Sequence, residues 1–301
     1  MAAFHLQSTV FTSTRVPNMH IITDPQQLRN EIKTLKRQGQ EIAFVPTMGN
    51  LHNGHLQLVK QAKKKTSIVV VSIFVNPMQF DNPDDLKSYP KTLANDCQLL
   101  EQEDVTIVFT PDVSTIYPNG LAAQTYVEVP GLSDRLEGAL RPGHFRGVTT
   151  IVNKLFNLVQ PDYACFGKKD FQQLAIIKQM VSDLGMPIHI IPVDIEREEN
   201  GLALSSRNSK LSLIEKEKAP LLSAIMNKIA QLLPNQDIAY SELIDAASKE
   251  LNENGFNVDA IDIVDSKTLQ PINSKSVQVV ILVAAFLGDT RLIDNKVVNL
   301  Q

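Results

Sequence analysis

Short apolar runs rich in Val and Ile recur along the first two-thirds of the chain, at 42–45, 68–75, 105–109, 163–166 and 188–193. Between them lie amphipathic patterns, around 55–65, 92–103, 147–159 and 170–184. The runs suit strands buried on both faces, and the intervening stretches suit helices. Asp24-Pro25 signals a further helix, an N-cap followed by a first-turn proline, reaching about Arg37. Strands spaced by helices predict an α/β fold: a doubly wound, Rossmann-like parallel sheet covered on both faces.

After about residue 195 the pattern changes. Ser212-Leu213-Ile214-Glu215 is a capping box that predicts a long helix, with Pro234 helping to stop it. A second helix is expected near 240–254, then strands around 258–264, 277–287 and 291–298. Helices followed by consecutive strands predict a smaller α+β C-terminal domain. The expected division is 1–18 as an extension, 19–195 as the Rossmann-like ligand-binding domain and 196–301 as an α+β domain acting as a partial lid. The extension is rich in Ser and Thr, contains Arg15 but no acid, and is followed by Met19. Its apolar residues are too scattered for a secretory signal, which favours an early start or a disordered extension.

Composition narrows the function classes. At 301 residues, 43% hydrophobic and 21% charged, the chain has the balance of a soluble globular protein. A formal charge of −4 argues against a surface built for nucleic acid. Lys63, Lys64 and Lys65 sit where a helix is expected to end, a favourable place for cations. No apolar run reaches the length of a membrane span, since the longest, 277–287, is interrupted by Gln278. Cys97 and Cys165 are too few for a disulfide framework, so the cytoplasm is the simplest compartment.

Four segments carry candidate chemistry. Pro46-Thr47-Met48-Gly49-Asn50-Leu51-His52-Asn53-Gly54-His55 joins the first long strand to a helix. A helix N-terminus offers free N–H groups and partial positive charge to phosphate, and His52 and His55 share one helical face there. Phe166-Gly167-Lys168-Lys169-Asp170-Phe171-Gln172-Gln173 lies at another strand-to-helix edge, where a lysine can meet phosphate. It is also compatible with a plain basic turn. Gly201-Leu202-Ala203-Leu204-Ser205-Ser206-Arg207-Asn208 sits at the expected domain junction, either a phosphate clamp or a polar linker. Ser72-Ile73-Phe74-Val75-Asn76-Pro77-Met78-Gln79-Phe80 places neutral amides at a strand exit, suited to hydroxyl and carboxylate groups. All four fall at strand ends or at the junction, so one cleft can collect them.

The histidine turn resembles the HIGH signature of nucleotidyl-transferring enzymes, here as His-Asn-Gly-His. Together with Phe-Val-Asn-Pro-Met-Gln-Phe, Tyr-Pro-Lys-Thr at 89–92, Arg-Pro-Gly-His-Phe-Arg-Gly-Val at 141–148 and Leu-Ser-Ser-Arg-Asn, the pattern resembles the pantothenate synthetase (pantoate–β-alanine ligase) family from Met19 onward. The resemblance implies that a pantoate carboxylate attacks the α-phosphate of ATP, and that β-alanine then displaces AMP from pantoyl adenylate. It implies an ATP site of Met48, Gly49, Asn50, Leu51, His52, Asn53, Gly54 and His55, with His55 as the usual proton donor, which an imidazolium would also serve electrostatically. Lys169 matches the phosphate-binding lysine, Gly167 and Asp170 match ribose-side positions, and Glu196 matches a backbone contact to adenine. Ser205, Ser206 and Arg207 match the segment that closes on the phosphates, and Leu204 is counted with the ATP site. Gln79 and Gln173, with Asn76, match the pantoate-binding amides. Lys168 stands where the family often has glutamate, and is expected to point outward. Mg²⁺ is expected with ATP, and of the family's suggested metal-side positions, Asn95-Asp96, only Asp96 is acidic. His144 and Arg146 are either substrate contacts or loop anchors. The family is typically dimeric, which makes a homodimer the expectation.

Two other classes share parts of this pattern. A nucleotidyltransferase would use the histidine turn and the Ser-Ser-Arg segment without needing Gln79 paired with Gln173. A regulatory nucleotide-binding module would bind ATP without pantoate-dependent release of pyrophosphate. Product analysis separates all three.

Overall fold

The computed structural model describes residues 19–81, 83–233 and 239–300. The 1–18 extension and the Pro234 stop signal lie outside the described residues. Six parallel strands form the first sheet: β1 (His20–Ile22), β2 (Ile42–Thr47), β3 (Ile68–Ile73), β4 (Ile107–Phe109), β5 (Tyr163–Gly167) and β6 (His189–Val193). Their order is β1-β4-β3-β2-β5-β6, all neighbours parallel. From β2 the chain steps outward through β3 to β4, then returns to place β5 on the other side of β2. The strand order therefore reverses between β2 and β5, where ligands bind in open α/β sheets.

Alternate residues of the central strands feed two cores, as the pleat requires. Ile42 and Phe44 join Val70, Ile107 and Phe109 beneath α1 (Pro25–Arg37), α7 (His144–Val159) and α8 (Phe171–Asp183). Ala43 and Val45 join Val69, Val71 and Cys165 on the opposite face, under α2 (Asn53–Lys63) and α4 (Leu93–Gln102). Three short helices punctuate the loops beyond the strands: α3 (Pro83–Lys87), α5 (Val113–Ile116) and α6 (Glu137–Leu140). Asp24 caps α1 through a 2.7 Å bond from the Gln27 N–H, as the sequence predicts. Strand β1 was not foreseen. It is three residues long with Ile21 exposed, too short to show a period.

The rest of the chain forms the predicted α+β unit, a three-stranded antiparallel sheet β7 (Phe256–Asp265), β8 (Gln278–Leu287) and β9 (Thr290–Asn299). One face packs on α10 (Leu221–Leu232) and α11 (Tyr240–Glu253) through Leu222, Ile225, Leu243, Leu251, Ile281 and Val283. On the other face Val264 and Val280 meet Leu136, Phe171 and Ala175 of the first unit. The long helix expected after Ser212 is corrected to two. The capping box is present, with Glu215 N–H to Ser212 Oγ at 3.3 Å and Ser212 N–H to Glu215 Oε2 at 2.7 Å. It opens only α9 (Leu213–Lys218), because Pro220 has no N–H to continue the ladder before α10 begins.

Candidate active site

The ends of β2 and β5 open into a cavity of about 690 Å³, roofed by the small sheet. The turn after β2 is held in an unusual backbone path, with φ of +81° at Gly49 and +50° at Asn50. A Cβ on Gly49 would lie 3.0 Å from Asp96 Oδ2 and 3.1 Å from Ile73 Cγ2, so both space and conformation call for glycine. The path then enters α2 with His52 as N-cap. The Gly54 N–H donates to His52 Nδ1 at 3.1 Å, and the His52 N–H points to His55 Nδ1 at 3.4 Å.

Those bonds fix the tautomers. Each Nδ1 accepts from backbone, so each Nε2 carries the hydrogen. Burial, then the Lys169 ammonium, holds His52 down to about 4. Burial, then His52 and Lys169, holds His55 down to about 3. Both shifts favour neutral Nε2–H rings near neutral pH, and the imidazolium expected at His55 would need the negative charge of a bound phosphate beside it. Lys169 is half-buried, and desolvation lowers its pKa most, with Asp170 opposing that shift.

Most residues singled out from sequence line this one cavity. Met48, His52, Gly54 and His55 contribute from the first turn and the start of α2, Gly167, Lys169 and Asp170 from the turn after β5, and Gln173 from the first turn of α8. Gln79 enters from the end of β3, and Glu196, Leu204, Ser205, Ser206 and Arg207 from the junction. Gly49, Asn50, Leu51, Asn53 and Lys168 are not among its lining. The first three shape the turn, and Asn53 is exposed on α2. Lys168 pairs with Asp194 at 2.5 Å and is 42% exposed, the outward placement expected from sequence.

The junction is tied to the first turn by a reciprocal pair. Asn50 Nδ2 donates to the Ser206 carbonyl and Ser206 Oγ donates to the Asn50 carbonyl, both at 3.1 Å. Ser205 caps the short 3₁₀ turn Ser206–Lys210 by accepting from the Arg207 N–H. Arg207 reaches Asp85 of α3 at 3.3 Å, leaving its guanidinium at the cavity wall.

Asn76 also lines the cavity, and the protein around it engages its amide. Its Nδ2 donates to Gln79 Oε1 and to the Gly147 carbonyl, both at 3.1 Å. Its Oδ1 accepts from Tyr117 Oη at 2.7 Å and the Met78 N–H at 3.3 Å. With these groups engaged, Asn76 orients Gln79 and has little left for a ligand. The metal-side expectation for Asp96 is corrected. It is 0% exposed, lies outside the cavity lining, and both of its oxygens face donors of the protein. Among the described residues no cluster of three or more His, Cys, Asp or Glu could hold a metal ion. The residues present therefore do not form a protein cage for Mg²⁺.

Sequence reasoning left His144 and Arg146 open and missed Asn295 and Arg291. His144, the first residue of α7, lines the cavity, and its Nδ1 meets the Gln79 carbonyl at 2.7 Å. Nδ1 must carry the hydrogen there, so its Nε2 is an acceptor, and burial and then Arg141 hold its pKa down to about 4. Arg146 does not line the cavity; its guanidinium sits 4.8 Å from the Tyr126 ring centroid. Asn295 of β9 donates to the carbonyls of Lys168 and Lys169, both at 2.8 Å, fixing the turn that carries the lysine. Arg291 of β9 makes a two-pronged pair with Glu137 of α6, at 2.8 and 2.7 Å. The Arg-Pro-Gly-His-Phe-Arg run pointed at His144 and Arg146, of which only His144 lines the cavity; nothing local marked Asn295 or Arg291.

Comparison with known proteins agrees with this architecture. The family model described as pantoate-beta-alanine ligase matches residues 20–297. The chain is 68% identical to the pantothenate synthetase of Psychromonas ingrahamii over 283 residues, 94% of this chain and 98% of that protein. It is 57% identical to that of Aeromonas hydrophila over 282 residues, 94% and 99% of the two chains. Among solved structures, pantothenate synthetase from Thermus thermophilus superposes with a TM-score of 0.84 at 40% identity, covering 92% of this chain and 99% of that one. Pantoate-beta-alanine ligase from Francisella tularensis, complexed with β,γ-ATP and β-alanine, gives 0.78 at 36%, covering 92% and 97%. The chain belongs to the pantoate–β-alanine ligase family.

Proposed function

We propose that this protein joins pantoate to β-alanine at the expense of ATP, through pantoyl adenylate, releasing pyrophosphate and then AMP. The observation that carries the reading is the single cavity at the strand-order reversal, lined by His52, His55, Lys169, Gln79, Gln173 and Arg207 together. The polyphosphate lies at the N-terminus of α2, where the His52 and His55 Nε2–H groups and the helix dipole favour an anion. Lys169 brings its amino group to the same cavity wall, where positive charge beside the α-phosphate stabilises the charge developing there. Gln79 and Gln173 orient pantoate without adding charge, so its carboxylate keeps its nucleophilicity toward phosphorus. Gly167 and Asp170 hold the ribose side, Glu196 and Leu204 the base side, and Ser205, Ser206 and Arg207 the phosphates.

In the second step the amine of β-alanine attacks the acyl carbon, the C–O bond to AMP breaks, and the amine loses a proton. Mg²⁺ bound to ATP would be held by the nucleotide and water instead of by these residues, and would neutralise phosphate charge. The small sheet acts as a cover that keeps water from the acyl adenylate. The domain boundary near 195, a homodimeric assembly and a cytoplasmic location belong to the same reading. Among the described residues no helix is long and apolar enough to cross a membrane.

The test is product analysis with ATP, Mg²⁺ and pantoate, with and without β-alanine. Equal formation of AMP and pantothenate only in the complete mixture is expected. Adenylyl transfer that stops at a phosphorylated acceptor would favour a nucleotidyltransferase. Binding without turnover would favour a regulatory module.

A further inference from the structure

The carboxylate of Asp96 is enclosed by the turn that precedes α2. The Asn50 N–H reaches Oδ2 at 3.0 Å, the Leu51 N–H reaches Oδ1 at 2.8 Å, and Thr92 Oγ1 lies 3.1 Å from both oxygens. A buried charge persists only where such donors surround it, and these consume most of a carboxylate's acceptor capacity. The fit is mutual, since a Cβ on Gly49 would crowd Asp96 Oδ2 at 3.0 Å and a residue bearing one would have to adopt a φ of +81°. Asn50 in turn carries the two bonds to Ser206, so the carboxylate acts on the junction segment as well.

We propose that Asp96 is a positioning residue for the nucleotide and not a metal-side acid. It fixes the Asn50-Leu51 backbone, and thereby both the helix end that faces phosphate and the Ser206 latch. This rests on the reading that ATP lies at that turn.

The two roles predict opposite signs for binding without metal. An acid near the phosphates repels metal-free ATP, so Asp96→Asn would tighten its binding or leave it unchanged. A positioning residue gives the reverse, because the amide places a donor against a backbone N–H and loosens the turn. Calorimetric titration with ATP in EDTA is expected to show about tenfold weaker binding for Asp96→Asn, the loss of one charge-assisted hydrogen bond. Thr92→Val should shift binding in the same direction by a smaller factor, and it carries the test alone if Asp96→Asn does not fold. In turnover, the Mg²⁺ concentration for half-activation should match wild type while KM for ATP rises. Unchanged or tighter metal-free binding in the foldable variants, or a defect relieved by excess Mg²⁺, would overturn the assignment. His52→Ala serves as the control. Weakened binding there with normal Asp96→Asn retires only the role of Asp96. Normal binding in both retires the nucleotide's placement at the turn and this role with it.

Discussion

Which nitrogen of each imidazole carries its proton decides what this cavity can hold. His52 and His55 accept backbone N–H groups at Nδ1 and so turn donors inward, whereas His144 donates from Nδ1 and turns an acceptor inward. The type and spacing of the first pair were legible in sequence; their neutrality was not, because it follows from burial and from a lysine more than a hundred residues away. His55→Ala and Lys169→Ala should each slow pantoate-dependent ATP–pyrophosphate exchange by about 10²–10³-fold with the fold intact. Normal exchange in either would remove that residue from the chemistry. The same groups make stability depend on pH. Their folded pKa values lie below the ordinary 6.5, so between about 6.5 and 4 the unfolded chain binds more protons and stability falls as pH drops. Thermal unfolding should show a steeper loss from pH 7 to 5 in wild type than in a His52→Gln/His55→Gln double variant. Parallel curves would mean that the rings titrate normally.

At the scale of elements, the site depends on how closely α7 approaches the 3₁₀ turn Pro77–Gln79. A Cβ on Gly147 would lie 2.3 Å from the Met78 carbonyl oxygen, a contact that only backbone movement can relieve. Gly147→Ala should therefore displace Gln79, raising KM for pantoate more than KM for ATP, and destabilise by about 1–3 kcal/mol. Equal changes in both constants would contradict the assignment of Gln79 to pantoate. The long strands and helices were legible because each carries several turns or alternations of pattern. Strand β1 was hidden by its brevity, and the break at Pro220 was masked by a strong capping box just before it. The bracing bonds made by Asn76 and Asp96 were illegible for a related reason. A polar residue at a strand exit or helix start reads alike whether it faces a ligand or braces the loop that does.

For the whole molecule, the decisive contacts join the two sheets. Arg291 grips Glu137 across 154 positions of sequence, and Asn295 braces the Lys169 turn from 126 positions away. Such pairings leave no local trace, so the sequence could suggest a second unit without showing that it completes the site. Glu137 is held below the usual carboxylate range although burial opposes this, because Arg291 and Arg141 outweigh it. Arg291→Ala should loosen the cover and raise the release of AMP without β-alanine several-fold, as water reaches the adenylate. Unaltered AMP release would assign the pair to stability alone. The central claim is that pantoate's carboxylate attacks the α-phosphorus of ATP in this cavity. Turnover of pantoate labelled with ¹⁸O in its carboxylate tests it most directly, by mass spectrometry of the nucleotide product. The account predicts AMP carrying one ¹⁸O atom from the substrate. Unlabelled AMP, or label found in inorganic phosphate alongside ADP, would contradict it.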